Sequence, residues 1–193
     1  MSASRSHPNQ SPDRLSRLGM VARWRPVHLG HLPVLRALSD QAETVWLGIG
    51  SANRYNLRNP FTLEETLAML RLVLADRPNY TLIPVPDLDD GPRWRAMIRD
   101  LFGPLDGFVS DNPYVATLLR DDYRLVRPVD LVPPAERVPI DGTLVRRHMA
   151  RGDGWRELMP PEIAAYIMEH RLDERFRREF GLQTLALETI IRR

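Results

Sequence analysis

Two histidines three positions apart, His28 and His31, are the residues of this sequence best suited to chemistry on an anion. Two arginines, Arg23 and Arg25, precede them, and the apolar run that follows has a spacing typical of a helix. The start of a helix presents unpaired backbone N–H groups, which favour a phosphate at that point. Imidazole and guanidinium groups add further donors, so this combination predicts a site for a polyphosphate chain.

The elements on either side place these residues at a turn between a strand and a helix. Residues 18–22 form an apolar run short enough for a buried strand, and residues 32–38 carry leucines at helical spacing. Pro33 falls in the first helical turn, where its missing N–H group is not needed. We expect Gly30 to let the backbone come close to a ligand at the turn.

Two histidines at this spacing also occur as surface residues or as an incidental metal pair. The pattern around them is more specific, since a strand is followed by Arg-x-x-Pro-x-His-x-Gly-His and then by a helix. This pattern resembles the HxGH signature of the nucleotidylyltransferase superfamily. Members of that superfamily transfer AMP or CMP from a nucleoside triphosphate.

Composition narrows the chemistry. The chain of 193 residues contains no cysteine, which excludes disulfides, thiolate metal sites and a cysteine nucleophile. It also contains no lysine, so all 27 basic residues are arginine, and a Walker A lysine or a Schiff-base lysine is excluded. Any protein cation that touches phosphate is therefore arginine or histidine, and the planar guanidinium group suits bidentate phosphate binding.

Charge and hydropathy argue against nucleic acid and membrane as partners. The formal net charge is +2, and the arginines are interleaved with acidic residues instead of forming one basic run. No apolar stretch approaches the roughly 20 residues of a membrane span. We expect a cytoplasmic protein with a polar, disordered arm over residues 1–14 and a single domain over residues 15–193.

Strands and helices alternate along the rest of the chain. Further strands are predicted at residues 43–50, 80–84, 106–110 and 123–126. Thr62 and Glu65 form a capping box that opens one of the intervening helices. The proline-rich residues 128–139 are expected to be irregular, and helices follow them to the C-terminus. This order predicts an α/β fold with a doubly wound parallel sheet and C-terminal helices.

Polar residues follow the predicted strands at their carboxyl ends, where open α/β sheets bind ligands. Besides the two histidines they are Arg58, Asp87, Trp94, Ser110, Asp111, Asn112, Arg146 and Arg147. Their convergence supports one site more strongly than any single residue does. Taken singly, Arg58 and Arg147 could be solvated charges and Trp94 could be a core residue.

A closer resemblance is to the archaeal-type nicotinamide-nucleotide adenylyltransferases, and it runs from about Gly19 to His170. The motifs that carry it are Gly50-Ser51-Ala52-Asn53, Asn59-Pro60-Phe61-Thr62, Ile83-Pro84-x-Pro86-Asp87, Trp94, Ser110-x-Asn112-Pro113 and Gly142-Thr143-x-Val145-Arg146-Arg147. The resemblance implies a Rossmann-like nucleotidylyltransferase fold. The implied reaction is that of NAD biosynthesis, in which ATP and nicotinamide mononucleotide (NMN) give NAD and pyrophosphate.

The resemblance also assigns roles. The catalytic residues it implies are His28, His31 and Arg146. The ATP-binding residues it implies are Arg23, Pro26, Gly30, Ser110, Asn112, Thr143 and Arg146. The acceptor-binding residues it implies are Arg58, Pro84, Asp87 and Trp94, with the indole stacked on the nicotinamide ring. Mg²⁺ is expected to be held mainly by substrate phosphates and water, with no metal ligand from the protein. Relatives of this type further imply a homo-oligomer.

Three departures from the family pattern leave alternatives open. Ala22 stands in place of the usual Gly, Arg25 stands in place of the usual Gln, and the loop over residues 51–59 is one residue short and lacks the family's His. These departures touch the acceptor half. An adenylyl- or cytidylyltransferase for another phosphorylated acceptor, such as nicotinate mononucleotide, is one alternative, and a catalytically silent nucleotide-binding sensor is another.

Overall fold

The sheet is built from five strands that are all parallel to their neighbours. The computed structural model describes residues 14–191, with side chains as far as Leu187. Except for Arg14, the arm predicted for residues 1–14 lies outside the described residues. The strands are β1 (Leu15–Ala22), β2 (Ala42–Gly50), β3 (Tyr80–Val85), β4 (Gly107–Val109) and β5 (Leu125–Val126). Their spatial order is β3-β2-β1-β4-β5, so the chain winds outward from β1 in both directions, which confirms the predicted doubly wound sheet.

Strands β1 and β2 are the longest, and each carries a run of buried residues. In β1 and β2, Leu18 lies opposite Val45 and both are fully buried, as is Ile49 near the end of β2. Strands covered on both faces have near-continuous apolar runs, which is why the sequence indicated β2 to within one residue. Strand β1 begins three residues earlier than predicted, because Ser16 and Arg17 interrupt the apolar pattern before Leu18.

Helices cover both faces of the sheet. They are α1 (Leu32–Gln41), α2 (Leu63–Val73), α3 (Gly91–Phe102), α4 (Pro113–Leu119), α5 (Pro128–Leu131), α6 (Gly142–Arg151), α7 (Pro161–Glu169), α8 (Leu172–Phe176) and α9 (Leu182–Ile191). Residues of α1, α2, α6 and α7 belong to one buried cluster. Residues of α3 and α4 belong to a second cluster on the opposite face. Among the described helices, none is long and apolar enough to cross a membrane.

Side-chain caps fix where the helices at the site begin. Thr62 accepts from the backbone of Glu65 while the Glu65 carboxylate accepts from Thr62, so the predicted capping box opens α2. Asp90, Asn112 and Asp141 cap α3, α4 and α6 by accepting from backbone N–H groups of the first turn, without the reciprocal bond.

Two segments differ from the sequence prediction. Residues 128–139, expected to be irregular, contain the single-turn helix α5 and a 3-10 turn at Pro134–Glu136. Pro128 is the reason for α5, since proline is preorganised for a first helical turn. The C-terminal helices are also interrupted, because a π-helical turn, Arg177–Gly181, joins α8 to α9.

Candidate active site

A cleft of about 980 Å³ opens at the carboxyl ends of the strands. It lies across β1 and β4, where the sheet reverses its winding direction, and this is where the doubly wound fold binds ligands. Its lining includes most of the predicted site residues: Arg23, Pro26, His28, His31, Arg58, Asp87, Trp94, Ser110, Asp111, Asn112, Thr143 and Arg146. The predicted convergence on one site is therefore present in the structure.

The two histidines form a stacked pair at the entry to α1. Their ring centroids are 3.6 Å apart with an angle of 25° between the planes. The backbone N–H of His28 donates to Nδ1 of His31 over 3.3 Å. Since Nδ1 accepts, the hydrogen of a neutral His31 lies on Nε2. Trp24 closes the stack with its ring centroid 4.8 Å from that of His31, and its indole N–H donates to the carbonyl of Gly48.

Both histidines are neutral near neutral pH. Burial lowers the pKa of His28 to about 4, with Asp141 opposing the shift and Arg146 adding to it. Burial also lowers the pKa of His31 well below its usual value, helped by the charge of His28. Within residues 14–191, Nδ1 of His28 is buried without a hydrogen-bond partner. The pair therefore presents neutral imidazoles to the cleft, each able to donate one N–H.

Three guanidinium groups share the same end of the cleft. Arg146 extends from α6 and donates to the backbone carbonyl of Arg25 over 3.2 Å. Burial and the neighbouring charges of Arg23 and Arg58 lower the pKa of Arg146 to about 10, against the opposing charge of Asp141. Mutual repulsion among cations is relieved when an anion binds between them, so this end of the cleft suits a phosphate group.

The starts of two helices complete this end of the cleft, here called the anion-binding end because it holds the histidine pair and the three arginines. Helix α6 begins at Gly142 in the wall of the cleft, and Asp141 accepts from the backbone N–H of Leu144 over 2.8 Å. At α4, Asn112 caps the helix, and the hydroxyl of Ser110 accepts from the backbone N–H of Asn112. The oxygens of Ser110 and Asn112 thus shape the α4 start, while both residues line the cleft.

Three predicted residues lie outside the cleft lining. A Cβ atom at Gly30 would lie 2.1 Å from the carbonyl oxygen of Ile140, so the glycine allows close approach of a protein backbone, where a ligand was expected. Pro84 is exposed on β3 at the edge of the sheet, a position that tolerates the missing N–H. Arg147, next to Arg146 on α6, does not reach the cleft either.

The other end of the cleft combines acidic and aromatic residues. Asn53 binds the backbone of Asp87 twice, at 2.8 and 3.0 Å, and Arg54 lies 3.8 Å from the Asp87 carboxylate. Arg54 is also hydrogen-bonded to Asp89. Trp94 lines the cleft from α3 and also packs against the second apolar cluster, and its stacking on the nicotinamide ring stays a prediction.

Sequence reasoning missed an aromatic residue at this end. Tyr114, at the start of α4, lines the cleft with 62% of its surface exposed, and Gly91 leaves room for its hydroxyl. An aromatic residue directly after the Asn112-Pro113 helix start was the available signal. Arg25 was considered as a departure from the family pattern that touches the acceptor half, but its guanidinium is buried.

The Arg25 guanidinium is used within the protein. It donates to the hydroxyl of Thr66 and to the carbonyls of Ser51 and Arg54, and its second terminal nitrogen is buried. Burial lowers its pKa, against the charge of Asp87. Arg25 therefore braces the loop that follows β2. Among the described residues, no group of three or more acidic or histidine side chains is placed to hold a metal ion.

The sequence of this chain is similar to those of known nucleotide-transferring proteins, as one family model and several curated proteins show. The model of a family described as cytidylyltransferase-like matches residues 22–148. The nicotinamide-nucleotide adenylyltransferase of Aeropyrum pernix is 36% identical, over 85% of this chain and 97% of that protein. The protein of the same name from Methanococcus vannielii is 31% identical, over 81% of this chain and 94% of that protein.

Solved structures share the fold at low sequence identity. A bifunctional NMN adenylyltransferase/ADP ribose pyrophosphatase from Francisella tularensis, complexed with AMP and a Mn ion, matches with a TM-score of 0.72 at 16% identity. That match covers 93% of this chain and 56% of the other chain. A nicotinic acid mononucleotide adenylyltransferase from Plasmodium falciparum matches with a TM-score of 0.55 at 9% identity, over 83% of this chain and 98% of the other.

Proposed function

This chain belongs to the cytidylyltransferase-like family, and from that premise we propose that it transfers the AMP group of ATP to nicotinamide mononucleotide, forming NAD and pyrophosphate. The observation that carries the proposal is the anion-binding end of the cleft. There a neutral histidine pair, three arginines and the start of α6 converge where the doubly wound sheet binds ligands. The relatives that share 31–36% identity over most of their length carry the name of this activity.

The proposed reaction needs positioning and charge stabilisation more than a base. An oxygen of the acceptor's 5′-phosphate forms a bond to the α-phosphorus of ATP, and the bond from that phosphorus to the bridging oxygen breaks as pyrophosphate leaves with the electron pair. The attacking phosphate is already anionic at neutral pH, so no proton has to be removed from it. Catalysis then rests on in-line alignment and on donors aimed at developing charge.

The residues of the anion-binding end supply such donors. His28 and His31 are neutral, so each offers an N–H group. Arg146 is held by the carbonyl of Arg25 and lies 3.4 Å from the hydroxyl of Thr143, which fixes its direction before substrate binds. We assign His28, His31 and Arg146 to the transferred phosphate. Exposed Arg23 and Arg58 complete the grip on the remaining phosphates and on the acceptor phosphate.

Mg²⁺ is the divalent ion that we assign to the triphosphate. The polar atoms at the anion-binding end are mostly nitrogen atoms of histidine and arginine, whereas Mg²⁺ binds oxygen. These side chains do not fit as magnesium ligands. We therefore assign the ion to phosphate oxygens and water, and we assign no protein ligand to it.

The acidic end of the cleft supports an amide over a carboxylate on the pyridine ring. Three carboxylates line this end, those of Asp87, Asp89 and Asp90, and Arg54 is already paired with the first two. A carboxylate such as that of nicotinate mononucleotide would meet like charge here. Trp94 offers an electron-rich face to the cationic ring of NMN. The charge of the buried Arg25 acts on Asp87, but its guanidinium donates to Thr66 and to the carbonyls of Ser51 and Arg54 within the protein.

Pyrophosphate release from ATP tests the proposal. We expect release with NMN, slower release with nicotinate mononucleotide, and none with acceptors that lack a phosphate. Failure with both pyridine mononucleotides at millimolar concentration would overturn the proposed acceptor. ATP binding without release for any phosphorylated acceptor would identify a nucleotide-binding sensor instead.

A further inference from the structure

Arg58 is presented to the cleft by a tight, closed turn. Asn56 and Asn59 exchange backbone hydrogen bonds of 3.2 and 2.8 Å, which brings the two ends of residues 56–59 together. The side-chain oxygen of Asn56 also accepts from the backbone N–H groups of Arg58 and Asn59. The turn is therefore rigid in itself, and the direction of Arg58 depends on what holds the two ends of the turn.

The residue before the turn is held by the C-terminal helical segment. The Tyr55 hydroxyl donates to the carboxylate of Glu179, and the two rings of Tyr55 and Phe180 meet edge to face with centroids 5.4 Å apart. Glu179 and Phe180 belong to the π-helical turn between α8 and α9. Turns of this kind occur frequently at functional positions, because the extra residue changes where side chains point.

The residue after the turn is held by the same segment. Arg175, in α8, donates to the carbonyl of Pro60 over 3.3 Å. Its guanidinium also binds both carboxylate oxygens of Glu65 at 2.6 Å, and Glu65 in turn accepts from the backbone N–H of Thr62 at the start of α2. Both ends of the turn that carries Arg58 are thus fixed to one piece of the C-terminal region.

We propose that Arg175, Glu179 and Phe180, here called the C-terminal clamp, position Arg58 for the phosphate of the acceptor. The inference rests on the proposed function in one respect, since that function gives Arg58 its phosphate. All three clamp residues lie beyond residues 22–148, so the family match does not include them. The clamp makes no contact with substrate; it lowers the entropy that Arg58 loses on binding.

The matched pair of variants E179A and E174A tests the clamp. Glu174 lies in α8 and pairs with the exposed Arg171, away from the turn, so it controls for loss of one carboxylate in the same segment. We expect E179A to lower kcat/KM for the acceptor about tenfold, because misplaced groups lose rate steeply. We expect E174A to stay within about twofold of the parent chain. Equal values for both variants would overturn the proposal.

A double-mutant cycle separates positioning from simple destabilisation. If the clamp acts through Arg58, the double variant R58A/E179A is no slower than R58A alone, because the clamp has nothing left to position. If the two losses multiply, the clamp acts by another route and the proposal fails. The thermal midpoints of all variants are measured in parallel. Y55F, which keeps the ring and removes the hydroxyl, should reproduce the direction of E179A.

Hydrogen exchange tests the clamp without any substrate. We expect the amides of residues 54–59 to exchange faster in E179A than in the parent chain, and E174A to match the parent. Unchanged exchange in E179A would overturn the clamp even if the enzyme is active. Absence of pyrophosphate release from the parent chain would overturn the proposed function alone, since the exchange result still decides whether the clamp exists.

Discussion

The protonation state of the histidine pair decides what His28 and His31 can do. A cationic imidazole would attract a triphosphate but would also repel Arg23 and Arg146 in the empty cleft. Burial keeps both rings neutral, and the backbone contact to His31 leaves its hydrogen on Nε2. The pair therefore supplies directed hydrogen bonds, and the arginines supply the charge.

Removing either ring should slow turnover far more than it weakens nucleotide binding. We expect H28A or H31A to lower kcat by roughly 10²–10³, the loss of about 3–4 kcal/mol typical of one transition-state donor. H148A is the matched control, because His148 lies on α6 and bonds to Asp153 away from the cleft. Pyrophosphate release and ATP titration measure the two effects. Full turnover in both variants, or stoichiometric zinc bound by the pair, would remove the histidines from the mechanism.

Trp94 should affect one substrate and leave the other nearly unchanged. Stacking on a cationic ring is worth on the order of 1–2 kcal/mol when desolvated, so W94A should raise KM for NMN about tenfold. KM for ATP should stay nearly constant, and W94F should recover part of the loss. Because Trp94 also packs against the second apolar cluster, urea unfolding is measured alongside. Equal increases in both KM values together with lower stability would assign it to the core.

At the scale of elements, close packing between the turn at Gly30 and the segment before α6 brings the histidine pair and Arg146 to the same end of the cleft. The carbonyl oxygen of Ile140 lies 2.1 Å from the position that a Cβ atom at Gly30 would take. This contact is between backbones, and the bond from Arg146 to the Arg25 carbonyl reinforces it. The segments that hold the histidines and Arg146 thus meet directly, although more than a hundred residues separate them in sequence.

G30A should therefore move α6 as well as the turn. The backbone has to shift to admit the methyl group, and we expect a loss of about 1–3 kcal/mol in the free energy of unfolding together with weaker ATP binding. G181A is the control, since a methyl group there would lie 3.8 Å from its nearest neighbour. Urea unfolding and ATP titration check both. Normal ATP affinity in G30A would show that the contact does not hold the site.

The elements also show how far the sequence could predict the structure. Strands β2 and β3 were predicted to within a residue, because their apolar runs are bounded by polar loops. The capping box of α2 was predicted from Thr62 and Glu65 because capping depends on local spacing. The π-helical turn and the burial of Arg25 could not be predicted, since both depend on which distant residues pack against them. The sequence predicted a close approach to the backbone at Gly30, but it assigned that approach to a ligand instead of the carbonyl of Ile140.

For the whole molecule, acid stability should report the burial of the histidines. The pKa of His28 is about 4 in the folded state against 6.5 ordinarily, so the unfolded chain takes up a proton first as pH falls. The free energy of unfolding is unaffected above about pH 6.5 and decreases by about 3 kcal/mol as pH falls to 4, with His31 adding in the same direction.

Urea unfolding at about pH 7.5 and about pH 5 checks this, with H28N as the comparison because it removes the His28 contribution. We expect the parent chain to lose more stability than H28N between the two values. Identical losses would show that His28 is not buried as described. Cytoplasmic location, assembly into a homo-oligomer and disorder of residues 1–14 stay predictions.

The backbone contact between Gly30 and Ile140 has a consequence for how such a chain can diversify. The contact between the turn that carries the histidine pair and the segment before α6 is made by main-chain atoms, so it does not depend on which side chain stands at position 140. The opposite end of the cleft is built from side chains such as Asp87, Trp94 and Tyr114, which a single codon change can replace. Mutation can therefore remodel the acceptor end while this backbone contact stays in place.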